Sequence, residues 1–331
     1  MTEAWRPAPV QASRPRAVFL DALSLGPVEL APLEPWCELQ AWPSTASDER
    51  LQRLQDAEIA ITNKIPLDGA LLRQLPKLRL ICVAATGTDQ IDHGACKALG
   101  ITVHNAGRYS RASVVQITWA LILELCCAMD QRRRDLRTGR WQRSPVFSLI
   151  EPEFDELEGQ TLVVLGAGDI GRGVLAIGEA FGMQCIALNS RSSSAELEAA
   201  LRRADVLSLH APLTPQTQQL INAERISWMK PTARVVNMAR GGLVNLDDLC
   251  AALRAHQLAG AALDVLPVEP PGPELEALLD TPNLLISPHM GWSSRQARNR
   301  LVQTLAGHLQ TYWTALNASP ATSPRPPAPS P

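Results

Sequence analysis

The chain has no surplus of either charge, few aromatic residues, no CxxC pair and no apolar stretch of membrane length. Lysine and arginine number 31 against 33 aspartates and glutamates, a formal charge of −2, so the broad basic field that nucleic acid or an anionic lipid surface selects for is missing. No nucleic-acid partner is expected. The most apolar window, 114–129, is interrupted by Gln116 and Glu124 and falls short of the ~20 residues of a membrane span. No membrane segment is expected either. The seven cysteines are odd in number and sit mostly inside apolar runs, the pattern of reduced core thiols rather than a disulfide framework. The first sixteen residues lack an apolar core followed by a small-residue cleavage site, so no secretory leader is expected and the location reads as cytoplasmic.

What is present is a long, apolar and rhythmic chain. At 331 residues and 46% hydrophobic it exceeds the ~250–300 residues at which single cores stop growing, which predicts two domains. Short runs rich in Val, Ile and Leu recur at Ala17–Leu20, Ile59–Thr62, Leu80–Ala84, Ile101–Val103, Thr161–Leu165, Cys185–Leu188, Val206–Leu209, Arg234–Met238, Ala261–Val265 and Leu284–Ile286. Stretches with helical spacing lie between them, at Glu196–Ala204, Leu246–His256 and Glu274–Leu279. Alternation of fully apolar strands with helices predicts α/β architecture with doubly wound parallel sheets.

The rhythm breaks between Val103 and Thr161. Ser113 is placed to cap a long helix running through Val114, Ile117, Leu121 and Leu125 to Arg132, Arg133 and Arg134, whose charge suits a helix C-terminus. A helix apolar all round must be buried, so it is expected between two domains or in a subunit contact. The basic cluster reads as a solvated helix end rather than a binding patch. A second helix is expected over Arg295–Trp313. The chain thus crosses over twice, with one domain made of both ends (17–112 and 287–317) and another inserted between them (113–286). Residues 1–16 and the Pro/Ser/Ala tract 318–331 read as disordered tails.

Strand Thr161–Leu165 runs directly into Gly166-Ala167-Gly168-Asp169-Ile170-Gly171 and then a helical stretch. In that setting the first glycine allows the tight turn, the second lets a pyrophosphate approach the backbone, and the third lets helix pack on strand. The phosphates would sit at the helix N-terminus. The next strand ends at Asn189-Ser190-Arg191, where a carboxylate would bond the ribose hydroxyls of NAD and repel a 2′-phosphate. With Asn189 in that place and Arg191 close by, the site favours NADP(H), and NAD(H) remains possible.

Three polar residues follow predicted strands, where open α/β sheets bind ligands. They are Arg240, Glu269 and His289. Hydride transfer to a 2-keto acid needs a cation for the carboxylate, a proton donor for the oxygen, and a group that keeps the donor charged. A carboxylate beside an imidazole favours imidazolium, a competent acid near neutral pH.

These motifs carry a resemblance. The segments Ile61-Thr62-Asn63-Lys64, Ala84-Ala85-Thr86-Gly87-Thr88-Asp89, the glycine loop, Met229-Lys230-Pro231, Ala239-Arg240-Gly241-Gly242-Leu243-Val244, Leu263-Asp264-Val265 and Pro288-His289-Met290-Gly291-Trp292 resemble the D-2-hydroxyacid dehydrogenases, in particular those acting as glycerate dehydrogenases or hydroxypyruvate reductases. The resemblance implies two Rossmann-like domains, with the cofactor domain inserted into the substrate domain and the active site in the cleft. It implies Arg240 on the substrate carboxylate and carbonyl, His289 as acid/base, and Glu269 bonded to it. Backbone amides of Thr86 and Gly87 would bind the carboxylate, with Asn63 and Lys64 on the substrate side. Asp264 would face the nicotinamide carboxamide, His210-Ala211-Pro212 would run along the adenosine half, and Met238 and Thr118 belong with the cofactor residues. Trp292 either walls the substrate pocket or fills the hinge. Asn189 departs from the acidic residue usual in the family, and Ile117 stands where relatives often carry histidine.

The expected activity is reduction of a small 2-keto acid, hydroxypyruvate or glyoxylate, to the D-2-hydroxy acid, by a homodimer that binds no metal. A sensor of NAD(P) acting as a corepressor-like interaction protein is one rival, opposed by the presence of all three catalytic residues. A dehydrogenase for a bulkier or phosphorylated acid is another, and it would need more cations than Lys64.

Overall fold

The structure, a computed structural model, describes residues 13–318. These residues form two compact units. One takes the chain up to Tyr109 and resumes at Arg295; the other is Ser110–Ser294. Of the two expected tails, most lies outside the described residues, while Arg16 already belongs to the first strand and Ala318 closes the last helix.

The first unit holds a five-stranded parallel sheet made of β1 (Arg16–Phe19), β2 (Glu38–Ala41), β3 (Ile59–Thr62), β4 (Leu80–Val83) and β5 (Thr102–Asn105), in the order β2-β1-β3-β4-β5. β3 and β4 are buried along their whole length, as their unbroken apolar sequences require. Val18, Leu54, Ala60, Leu72, Ile81 and Val83 form the centre of its core. β2 was not anticipated. As an edge strand reading Glu-Leu-Gln-Ala, it is mostly exposed and carries no apolar run.

The second unit holds six parallel strands: β6 (Thr161–Leu165), β7 (Gln184–Leu188), β8 (Val206–Leu209), β9 (Arg234–Asn237), β10 (Gly260–Leu263) and β11 (Leu284–Ile286), ordered β11-β10-β9-β8-β6-β7. The winding reverses between β6 and β8, since β7 lies on one side of β6 and β8 on the other. The carboxyl ends of β6 and β8 therefore flank a ligand crevice.

The long apolar helix is Arg111–Cys127, and two expectations about it are corrected. Ser110, not Ser113, occupies the cap position, and it makes no side-chain capping bond. The helix also stops short of the arginines: Ala128 takes a left-handed conformation, φ 48°, and a new helix Met129–Arg137 begins. One side of the long helix is buried inside the second unit, while Ile117, Leu121, Leu123 and Leu125 are only half-buried. Val114, Val115, Trp119, Ile122 and Cys126 pack with Val164, Val174, Val206, Val236 and Ala262, so the sheet face and helix Asp169–Ala180 cover it. The basic cluster is tied down locally, with Arg133 and Arg134 on Asp130 and Arg132 donating to the Cys127 and Pro152 carbonyls. All seven cysteines are free thiols. Among the described residues no single helix is long and apolar enough to cross a membrane.

Candidate functional site

The glycine loop begins where β6 ends. Gly166 has φ +97°, and a Cβ there would lie 2.5 Å from both the Ala211 nitrogen and the His210 carbonyl carbon, so only glycine allows the loop this close to the end of β8. A Cβ on Gly171 would meet the Gly166 oxygen at 2.4 Å, which locks helix Asp169–Ala180 against the strand. A Cβ on Gly168 would meet nothing within 4 Å beyond its own chain neighbours. A ligand thus has room above Gly168, facing the helix start, where the amides of the first turn have no intrahelical acceptor. These three environments fit the pyrophosphate of a dinucleotide. Asp169 is partnered by Arg111, 3.6 Å away, and Ile170 packs inward on the core.

At the end of β7, Asn189, Ser190 and Arg191 are exposed. The Asn189 side-chain oxygen accepts from the Arg191 backbone amide at 2.9 Å, and the Asn189 backbone N–H donates to Ser192 Oγ at 3.1 Å. This turn leaves the Arg191 guanidinium without a carboxylate among the described residues. His210 is partly buried beside the loop, with Nε2 2.8 Å from Ser208 Oγ, and burial pushes its pKa down to about 4. It is a neutral wall of the crevice at physiological pH. Ala211 is buried, and Pro212 accepts from Thr217.

Arg240, Glu269 and His289 follow β9, β10 and β11, three adjacent parallel strands. Fully buried Asn237 shapes the first turn, donating to the Arg240 carbonyl at 2.9 Å and accepting from Ala239 N at 3.1 Å. Arg240 Nη1 donates to the Ala239 carbonyl. Gly241 then abuts Leu266, whose carbonyl carbon would be 2.1 Å from a Cβ there. Leu266 N donates to Glu269 Oε1 at 2.8 Å, and Glu269 Oε2 lies 2.6 Å from His289 Nδ1. Backbone contact and hydrogen bonds thus link the three segments, with both side chains of the final pair partly exposed.

His289 has φ +49°, a conformation a non-glycine residue keeps only where its surroundings impose it. Those surroundings centre on Asp264, which is 3% exposed. Its Oδ1 accepts from Ser287 Oγ at 2.5 Å and Met290 N at 2.9 Å, and its Oδ2 from Gly291 N at 2.8 Å. Asp264 therefore holds the histidine loop. Met238 lies against Gly291, its Cε 2.7 Å from where a Cβ would stand. Trp292 packs on the core beneath the sheet.

The remaining expected residues divide between the two units. Thr118, in the second, is fully buried and its hydroxyl donates to Val114 O within its own helix. Asn63, Lys64, Thr86 and Gly87 belong to the first unit. There the Asn63 and Lys64 amides donate to the carboxylate of Asp21 at 2.8 and 2.7 Å. Burial pushes the Asp21 carboxyl above its ordinary range, with those amides pulling the other way. Thr86 Oγ1 donates to Gly107 O, and Asn105 Nδ2 to Thr86 O. Asp21, Ser113 and Ser287 were missed as organising residues. Asp21 directly follows an apolar strand and Ser287 precedes the Pro-His motif, positions that could have flagged them. Among the described residues no group of three or more metal-ligating side chains occurs.

Comparison with known proteins gives a consistent picture. Residues 119–291 match the family model described as D-isomer specific 2-hydroxyacid dehydrogenase, NAD binding domain. The chain is 37% identical over 279 residues to a glycerate dehydrogenase of Methylorubrum extorquens, covering 83% of this chain and 89% of that protein. It is 32% identical over 311 residues to a hydroxypyruvate reductase of Blautia hydrogenotrophica, covering 90% and 96%. Among solved structures, the D-lactate dehydrogenase of Aquifex aeolicus complexed with NAD and lactic acid superposes with a TM-score of 0.80 at 26% identity, over 91% of this chain and 96% of that one.

Proposed function

The chain belongs to the D-isomer specific 2-hydroxyacid dehydrogenase family, and from that premise we propose that it reduces hydroxypyruvate or glyoxylate to the D-2-hydroxy acid with NADPH preferred over NADH. One observation carries the reading: a 2.6 Å contact between Glu269 and the Nδ1 of a His289 held at positive φ, beside the Arg240 turn.

When bound, the reduced nicotinamide supplies the hydride for the keto carbon. The chain's own residues handle charge and proton. Arg240 presents a guanidinium whose planar fork matches the substrate carboxylate and carbonyl. With Nδ1–H donating to Glu269, the imidazolium has Nε2–H left to give to the carbonyl oxygen. The oxygen becomes a hydroxyl, His289 ends neutral, and solvent returns its proton. Glu269 accepts from Nδ1–H and so fixes the orientation of the ring before transfer. Thr86, Gly87, Asn63 and Lys64 are assigned to the substrate carboxylate and its neighbourhood.

The cofactor preference rests on Asn189 in place of a carboxylate and on the exposed Arg191, which suit a 2′-phosphate. Trp141, Val146, Phe147, Ile150 and Phe154 are all more than half exposed, Phe147 at 92%, an apolar surface suited to an isologous contact. A homodimer in the cytoplasm is the proposed working form. Initial rates with NADPH and NADH against hydroxypyruvate, glyoxylate and pyruvate test the reading: failure to reduce the first two rejects the substrate class, and equal or better use of NADH rejects the preference.

A further inference from the structure

The peptide of Gly291 is gripped from both sides. Its N–H donates to Asp264 Oδ2 at 2.8 Å, and its carbonyl accepts from Ser113 Oγ at 2.6 Å. The approach is close, since a Cβ on Gly291 would lie 2.7 Å from Met238 Cε and 2.9 Å from Asp264 Oδ2. Two residues upstream stands His289 at φ +49°, its amide turned back onto the Ser287 carbonyl at 2.9 Å. A strained backbone keeps one conformation only if the flanking peptides cannot relax.

Ser113 is suited to that duty. It is 5% exposed, in the first turn of helix Arg111–Cys127, and that helix is anchored in the core by Val114, Val115 and Trp119. Its hydroxyl is doubly engaged, donating to Gly291 O and accepting from the Ser294 amide at 3.2 Å. Ser110 and Ser294 are the first and last residues of this unit. One buried hydroxyl therefore joins the chain's entry into the unit, its exit, and the loop that carries His289. Removing it would leave the Gly291 carbonyl and the Ser294 amide without this buried partner.

We propose that Ser113 is a positioning residue for His289, its hydroxyl clamping the Gly291 peptide so that the imidazole stays in line with Glu269 and the substrate oxygen. The proposal rests on the reading of His289 as acid/base. The clamp acts on the backbone at Gly291 and Ser294, whereas Arg191 and His210 follow β7 and β8, on the far side of β9 and β10 from β11. The effect is expected in turnover rather than in dinucleotide affinity.

The test compares Ser113→Ala and Ser113→Thr in the full chain, with NADPH and hydroxypyruvate. Displacement of a reacting group by a fraction of an ångström to 1 Å lowers kcat by about ten- to a hundred-fold, and that is the expectation for alanine, with NADPH Kd by fluorescence within two-fold of native. Threonine, which keeps the hydroxyl, is expected to recover most of the rate. Should alanine fold poorly, Ser113→Cys, with a weaker donor of similar size, is read in its place and is expected to lose kcat in smaller measure. Native kcat in the alanine variant, equal losses in alanine and threonine, or a parallel loss of NADPH affinity each overturns the proposal. A native protein that turns over no 2-keto acid overturns the proposed function and this inference with it, whereas an active native protein with an indifferent Ser113 overturns this inference alone.

Discussion

Glu269 Oε2 and His289 Nδ1 stand 2.6 Å apart although twenty residues separate them in sequence. The pair is assembled by the sheet, since β10 and β11 are parallel neighbours whose carboxyl ends deliver the two loops to one place. With Nδ1 engaged, the ring has one nitrogen, Nε2, left for chemistry.

Glu269→Gln keeps an acceptor and the shape but removes the charge. Turnover is expected to fall about a hundred-fold or more, in the range that general acid catalysis supplies, with NADPH affinity unchanged. Steady-state kinetics with a parallel dinucleotide titration checks this, and native kcat would show that the glutamate only braces the loop.

Asn189→Asp places a negative charge at the end of β7 where Asn189 now turns toward the Arg191 amide. A carboxylate there bonds the ribose hydroxyls and repels a 2′-phosphate, so the ratio of kcat/KM for NADPH over NADH is expected to drop by about ten-fold or more, the worth of one charge-assisted contact. An unmoved ratio would place Arg191 outside the cofactor site.

The glycine loop separates stability from binding. Gly171→Ala forces a methyl to 2.4 Å from the Gly166 oxygen and is expected to cost about 1–3 kcal/mol of stability, as overpacking does. Gly168 has φ −74° and open space around it, so alanine there folds normally while its methyl stands where the pyrophosphate would lie. Chemical denaturation and NADPH titration of the two variants should give opposite patterns.

The sheets and the contact between Glu269 and His289 were legible because each rests on local pattern. Continuous apolar runs mark the buried strands, and Arg240, Glu269 and His289 sit in motifs at strand ends. β2 was not legible, since an exposed edge strand has no apolar signature. The break at Ala128 was hidden too, because alanine is the strongest helix former and only its left-handed φ separates the two helices. The bond that turns the Thr118 hydroxyl back on its own helix was not legible either. The duties of Asp264, Asp21 and Ser113 depend on bonds between segments far apart in the chain, which no spacing rule encodes.

His210 makes stability depend on pH. Its folded pKa is depressed from 6.5 to about 4, so between those values the unfolded chain binds the extra proton and acid favours unfolding. The contribution is fully present above pH 6.5 and is lost as pH falls toward 4, amounting to at most about 3 kcal/mol at 1.36 kcal/mol per pH unit. His210→Gln is expected to flatten that part of the stability curve. Urea titrations of both proteins across this window measure the difference, and parallel curves would contradict it.

The central claim is that His289 protonates the substrate oxygen. Its most direct measurement is the rate of NADPH oxidation with hydroxypyruvate by the native protein and by His289→Ala, alongside NADPH Kd for each. The predicted result is ready turnover by the native protein and loss of about a hundred-fold or more in the variant, the contribution of a positioned acid, with Kd unchanged. Turnover by the variant within a few-fold of native would contradict it.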